Sequence, residues 1–186
     1  MKARVFLGAL ALVAASSAQA QVTVFESDNA FDITTLIRNA TAGLTVSKIT
    51  FDSSATHTSD GSYIVMDSVL STSGPSGGSA TFFGGGSLFG FDYTGFGSVK
   101  DASFSWDPDS AINSSFGALA SDLLGMVVTA ETSAGVLTGV FGQMTFGEER
   151  GYGTQLTAAI PEPSTYALMG VGLLGMAFVA RRRRQT

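Results

Sequence analysis

Two aspartates in the sequence Asp107-Pro108-Asp109-Ser110 have the residue types and the spacing of a small cation site. Carboxylate oxygens are the ligands that hard cations such as Ca²⁺ prefer, and carboxylates two residues apart can share one ion. The complete calcium-loop pattern D-x-D-x-D-G is missing. The interpretation we favour is a turn set by Pro108 and a helix cap supplied by Asp109. Asp107 and Asp109 are therefore candidate metal ligands for calcium, and we expect no obligatory cofactor.

The chain has one histidine, His57, between Ser53 and Ser62. With a serine and either Asp52 or Asp60 it has the residue types of a Ser-His-Asp triad, but no G-x-S-x-G motif supplies the nucleophile. We favour an exposed loop histidine without a catalytic role. The chain also lacks cysteine, which excludes a catalytic thiolate, a thiolate metal site and disulfides. The sequence predicts a protein that is not an enzyme, with a hydrolase as the remote alternative.

Aromatic residues are concentrated near the centre of the chain. They are Phe89, Phe91, Tyr93, Phe96, Phe104 and Trp106. Aromatic platforms bind sugars in many β-sandwich domains, so these residues are candidates for carbohydrate binding. Several of them alternate with small or polar residues, as the core-facing residues of strands do, and we favour a core role.

The segment 21–160 has the composition of a β-protein, with short apolar runs separated by Gly, Ser, Asn and Asp. We predict strands at 31–38, 44–51, 63–70, 80–83, 88–93, 102–106, 126–131 and 136–146, the last with a bulge near Gly139 or Gly142. The helical spacing of Ile112, Phe116, Leu119 and Leu123 predicts one short helix, capped by Asp109 or Ser110 and ended by Gly125. The predicted fold is all-β, an antiparallel two-sheet sandwich of jelly-roll type with one short inserted helix.

Charge is distributed unevenly along the chain. The segment 21–160 contains 14 acidic and 4 basic residues, a net charge of −10, whereas the other basic residues lie in the two terminal segments. Such an acidic domain repels phosphate backbones, so we expect no nucleic-acid partner.

The N-terminal residues 1–20 have the pattern of a signal peptide. Lys2 and Arg4 precede an apolar run, and Ala18-Gln19-Ala20 matches the small-x-small site of signal peptidase. We therefore expect an exported protein whose extracytoplasmic domain comprises residues 21–160.

The C-terminal residues 161–186 combine three unlike elements in order. Pro161-Glu162-Pro163 is followed by 15 uncharged residues, 166–180, and then by Arg181, Arg182, Arg183 and Arg184. We predict a transmembrane helix at 166–180, with the arginines cytoplasmic by the positive-inside rule. The pattern G-x-G-x-x-G at 170–175 lies inside this apolar segment and is not a dinucleotide site.

This order of elements closely resembles the PEP-CTERM sorting signal of Gram-negative bacteria, over residues 160 to about 185. The resemblance implies recognition by an exosortase, a membrane processing enzyme, with Pro161, Glu162 and Pro163 as the recognition motif. It also implies an inner-membrane-anchored precursor with its domain on the periplasmic side, then release to the cell surface or medium. Proteins with this signal are commonly associated with exopolysaccharide and biofilm formation.

Two functions remain open at this point. The first is a non-enzymatic structural component of the cell surface or extracellular matrix, associated with exopolysaccharide. The alternative is a carbohydrate-binding module on the cell surface, assisted by calcium.

Overall fold

The computed structural model describes residues 22–27 and 32–158, together with Gly172, Leu173 and Met176. The strands found in those residues are β1 Val22–Ser27, β2 Ile33–Asn39, β3 Val46–Asp52, β4 Ile64–Ser73, β5 Ser79–Gly85, β6 Leu88–Phe96, β7 Lys100–Ser110, β8 Asn113–Gly117, β9 Val127–Thr132, β10 Gly135–Val140, β11 Gly142–Phe146 and β12 Glu149–Ala158. A short 3₁₀ helix spans Ala120–Leu123. The all-β class is confirmed.

The strands form one antiparallel sheet in the order β4-β7-β2-β1-β12-β10-β9-β3-β6-β5, with β8 added to β7 and β11 to β12. The two ends of this order meet where the Met66 amide donates to the Gly86 carbonyl at 2.9 Å, so the sheet is nearly closed and barrel-like. The predicted division into two separate sheets is wrong. It fails because β12 pairs with β1 on one side and with β10 and β11 on the other, which joins the two halves.

The interior of the sheet is filled largely by aromatic rings. Phe91 of β6 meets Phe104 of β7 with ring centroids 4.5 Å apart, and Phe89 meets Trp106 at 5.0 Å. All six aromatic residues singled out in the sequence are buried, so their core role is confirmed. Rings that fill the core are not available as a sugar-binding platform.

The predicted inserted helix is wrong. Asn113–Gly117 forms β8, which pairs with the end of β7, and only Ala120–Leu123 is helical, as a 3₁₀ turn. Leu123 is buried, whereas Ile112 is 75% exposed. The helical spacing therefore does not define one buried face. Because β2 pairs with β7 only as far as Trp106, the end of β7 has a free edge, and β8 pairs with that edge. Asp109 therefore lies within β7 and does not cap a helix.

The predicted long strand 136–146 is divided at Phe141. Phe141 is buried, its amide donates to the Met126 carbonyl at 2.8 Å, and its carbonyl accepts from Gly125 at 3.1 Å. These bonds keep Phe141 beside the residues that precede β9, whereas Gly142–Phe146 pairs with β12, so β10 and β11 are separate strands. The bulge predicted near Gly139 or Gly142 is thus a complete break in the strand, and the break lies at Phe141.

Besides β8, the strands β1 and β12 were not predicted from the sequence. They pair along their whole shared length, from Val22 opposite Leu156 to Ser27 opposite Gly151. A side chain at Gly151 would collide with the Glu26 carbonyl and the Phe25 ring, so glycine is required for this close approach. The pairing places a buried glutamate in the wall of the core.

Candidate functional site

Three aspartates converge on the outer face of the sheet where β4 lies beside β7. Each of Asp67, Asp107 and Asp109 places a carboxylate oxygen within 4.8 Å of the others. The two candidate ligands predicted from the sequence are therefore brought together, and Asp67 joins them. We call this group the aspartate cluster.

The strand geometry explains how the cluster forms. Asp107 and Asp109 are two residues apart on β7 and so point to the same face, while Trp106 and Pro108 alternate with them. On β4, Met66 pairs with Pro108 and Ser68 pairs with Asp107. The β-bulge at this register shift leaves Asp67 as the extra residue, opposite neither partner. Asp67 was missed because a bulge in one strand is set by its partner strand, and no local pattern signals it.

Burial differs strongly among the three carboxylates. Asp67 is exposed, Asp107 is half-buried and Asp109 is only 6% exposed. Burial raises the pKa of Asp109, and the neighbouring charges of Asp107 and Asp67 raise that pKa further. In such a setting a carboxylate is stabilised either by a proton or by a cation.

His57 and its possible partners do not assemble a triad. His57 is exposed, and in the part of the chain that the structure describes it has no hydrogen bond to Asp52 or Asp60. Asp60 accepts from the hydroxyls of Thr58 and, at 2.7 Å, Ser110. These hydrogen bonds lower the pKa of Asp60, and the bond from Thr58 has the largest effect. Asp52 accepts a hydrogen bond at 3.0 Å from the backbone amide two residues further along the chain. Both carboxylates thus hold loop structure in place.

Glu26 is a buried acidic residue that no motif in the sequence marks. Its Oε1 accepts from the Thr35 hydroxyl at 2.8 Å, and Thr35 Oγ1 accepts from Trp106 Nε1 at 3.1 Å. Its Oε2 has no hydrogen-bond partner within the described ranges. Burial raises the pKa of Glu26 to about 8, against the smaller lowering effects of Thr35 and Trp106. Glu26 alternates with Val22 and Val24 along β1, and all three side chains point inward. The sequence would have predicted a buried Glu26 if β1 had been recognised as a strand.

The predicted terminal sites lie outside the described residues. These are Ala18 and Ala20 of the signal-peptidase site, Pro161, Glu162 and Pro163 of the sorting motif, and the four arginines at 181–184. Gly172, Leu173 and Met176 have helical backbone. Among the residues that are described, no helix has the length and apolarity needed to cross a membrane.

Comparison with known families decides what the C-terminal segment is. Residues 159–184 match the family model of the PEP-CTERM protein-sorting motif. The chain carries a PEP-CTERM sorting signal. The signal implies export and processing by an exosortase-type membrane enzyme, and it agrees with the span predicted from the Pro-Glu-Pro, apolar and arginine elements. No curated protein sequence and no solved structure matches the chain.

Proposed function

We propose that this protein is a non-enzymatic structural component of the bacterial cell surface or extracellular matrix, associated with exopolysaccharide. The observation that carries the proposal is the PEP-CTERM match at residues 159–184. The signal accounts for delivery, and the domain ahead of it is what is delivered.

The physical properties of the tail support a temporary membrane stage. A helix over the 15 uncharged residues 166–180 is about 22 Å long, less than the roughly 30 Å hydrocarbon core of a bilayer. Snorkelling of the arginines at 181–184 closes part of that gap and fixes the topology, with the domain outside. The two prolines of Pro161-Glu162-Pro163 favour an extended backbone, which is suited to recognition by a processing enzyme.

The domain supports a structural role through its packing. Its largest aromatic side chains fill the interior, and the two ends of the strand order are bridged at Met66 and Gly86. A nearly closed sheet leaves little unpaired edge and suits a protein that must persist outside the cell without disulfides.

The second candidate is calcium-assisted binding of exopolysaccharide, and the aspartate cluster is the observation that favours it. Because the core aromatics are buried, the sugar would bind elsewhere on the outer face. Saturable, chelator-sensitive binding of the producing strain's own polysaccharide is the expected result, and no binding with calcium present would exclude this candidate.

The experiment for the main proposal is intact-mass analysis of the protein recovered from the cell surface and medium. We expect a species that lacks residues 1–20 and most residues after Pro163. Deleting the processing enzyme should leave the tail in place and retain the protein in the membrane. Glu162→Ala should act like that deletion, whereas the control Thr165→Ala should be processed normally. Surface protein that still carries Arg181–Arg184 would contradict the proposal.

A further inference from the structure

We propose that Asp67, Asp107 and Asp109 form a calcium site that ties β4 to β7. This inference goes beyond the sorting function, because it concerns the exported domain and does not depend on the tail.

No basic side chain within the described residues forms an ion pair with the aspartate cluster. Three carboxylates with oxygens within 4.8 Å of one another repel each other when ionised. Within residues 22–27 and 32–158 the only ion pair joins Arg38 to Asp101, so no basic side chain of that part of the chain contacts the cluster in this way. Those residues thus supply no balancing positive charge, and a cation from solution can supply it.

Asp109 provides a separate indication of a ligand. The residue is only 6% exposed, and within the described residues its carboxylate accepts no hydrogen bond and forms no ion pair. Buried carboxylates are ordinarily satisfied by several donors or by a cation. Asp60, by contrast, is satisfied by two hydroxyls and a backbone amide. Asp109 instead faces the other two carboxylates.

The three carboxylate oxygens lie within 4.8 Å of one another, close enough to share one cation. Calcium is the better fit on chemical grounds, because it takes about six to eight oxygen ligands in flexible geometry. Magnesium dehydrates reluctantly and is usually held by only one or two carboxylates. Water can complete the coordination shell on the exposed Asp67 side. A site with three carboxylates and open positions should bind in the ~10⁻⁴–10⁻³ M range typical of extracellular modules.

The position of the site gives the ion a structural effect. Asp67 directly follows Met66, whose amide makes the bridge to Gly86 that closes the sheet. Calcium bound to Asp67 and to the two β7 carboxylates would fix the β-bulge and hold this closing point in place. Calcium should therefore stabilise the whole domain.

The test uses the full chain in detergent, freed of metal by chelation, with CaCl₂ added during thermal unfolding. We expect 10 mM calcium to raise the Tm by about 5–9 °C, and equal magnesium to raise it by less. Terbium provides a direct probe, because the single tryptophan, Trp106, is next to Asp107 in sequence and can sensitise terbium emission. Calcium should compete with that signal.

Variants separate a specific site from general acidity. Asp107→Asn with Asp109→Asn should raise the Tm in chelator, by removing repulsion, and abolish the calcium shift. Asp67→Asn changes an exposed residue, so it tests the site in a protein that should fold normally. This variant should weaken calcium binding at least tenfold. Asp92→Asn, an exposed strand aspartate outside the cluster, is the matched control and should change neither property.

Three results would overturn the calcium site: no Tm change with calcium, a full calcium shift in the double variant, or an equal response to magnesium. None of these would affect the sorting proposal, which is tested by the mass of the processed protein.

Discussion

Glu26 and Asp109 are both buried carboxyls, but they lie on opposite faces of the same sheet and differ in their neighbours. Glu26 points into the core, where Thr35 and Trp106 form a hydrogen-bonded chain to one of its oxygens. Asp109 points outward and faces Asp107 and Asp67. One site is isolated from other charges, whereas the other concentrates them.

The difference shows how depth selects the partner of a carboxylate. No ion from solution reaches the core without losing its hydration, so Glu26 is stabilised by a proton. The aspartate cluster opens to solvent through Asp67, so a hydrated cation can reach it and exchange some of its water for carboxylate oxygens. The contrast can be tested by changing one site at a time.

The largest expected effect is that of Glu26→Gln. The unfolded carboxyl has a pKa near 4.5 and the folded one about 8, so the folded state holds the proton more tightly. The stability from this group is complete below about pH 4.5 and is lost as the pH rises to about 8. We expect wild type to lose about 3 kcal/mol between pH 5 and pH 8 from this group, and Glu26→Gln to remove that loss. Urea unfolding at several pH values measures it.

A pH profile unchanged by Glu26→Gln would show that Glu26 does not retain its proton in the folded state. Glu131→Gln, on the exposed face of β9, is the matched control and should leave the profile as in wild type.

An intermediate effect is expected from Trp106→Phe. The substitution leaves a cavity and removes the Nε1 donor, at a cost of about 2 kcal/mol. Since the hydrogen bond from Trp106 lowers the pKa of Glu26, its loss should also shift the pH-dependent fall in stability to higher pH. Phe89→Leu is the control: it should destabilise the protein without moving that pH range, and an equal movement in both would contradict the proposed coupling.

The smallest effect is expected at the exposed ion pair of Arg38 and Asp101. Arg38 donates two hydrogen bonds to Asp101, at 2.9 and 2.8 Å, but both side chains are more than 40% exposed. Asp101→Asn should therefore cost less than about 1 kcal/mol, and less still in 1 M salt. Urea unfolding at low and high salt measures it, and a cost that does not decrease with salt would show that packing, not charge, is responsible.

Local patterns were sufficient for most of the strands but not for their partners. Alternation in the segments around Phe91 and Phe104 correctly predicted strands and buried rings. The spacing from Ile112 to Leu123 indicated a helix, but the free edge of β7 provided backbone hydrogen bonds that outweighed this local preference. β1 and β12 became strands through their mutual pairing across the domain, and no local stretch of sequence contains both partners.

Only the part of the candidate site that lies on one strand was predictable from the sequence. Asp107 and Asp109 were found because two residues on one strand share a face. Asp67 depends on the β-bulge in β4, and Glu26 depends on which face of β1 turns inward, so both follow from tertiary pairing. The sorting signal was fully readable because its three elements are consecutive in the chain.

The pairing of β1 with β12 also sets the order of events during export. Val22 lies opposite Leu156, so the first and last strands of the domain are neighbours in the middle of the sheet. The sheet cannot close until residue 156 has left the translocation channel, and contacts of such long sequence separation form slowly. The sorting signal begins at residue 159, directly behind this last strand. The membrane processing that this signal implies can therefore begin only after the last strand of the domain has been exported.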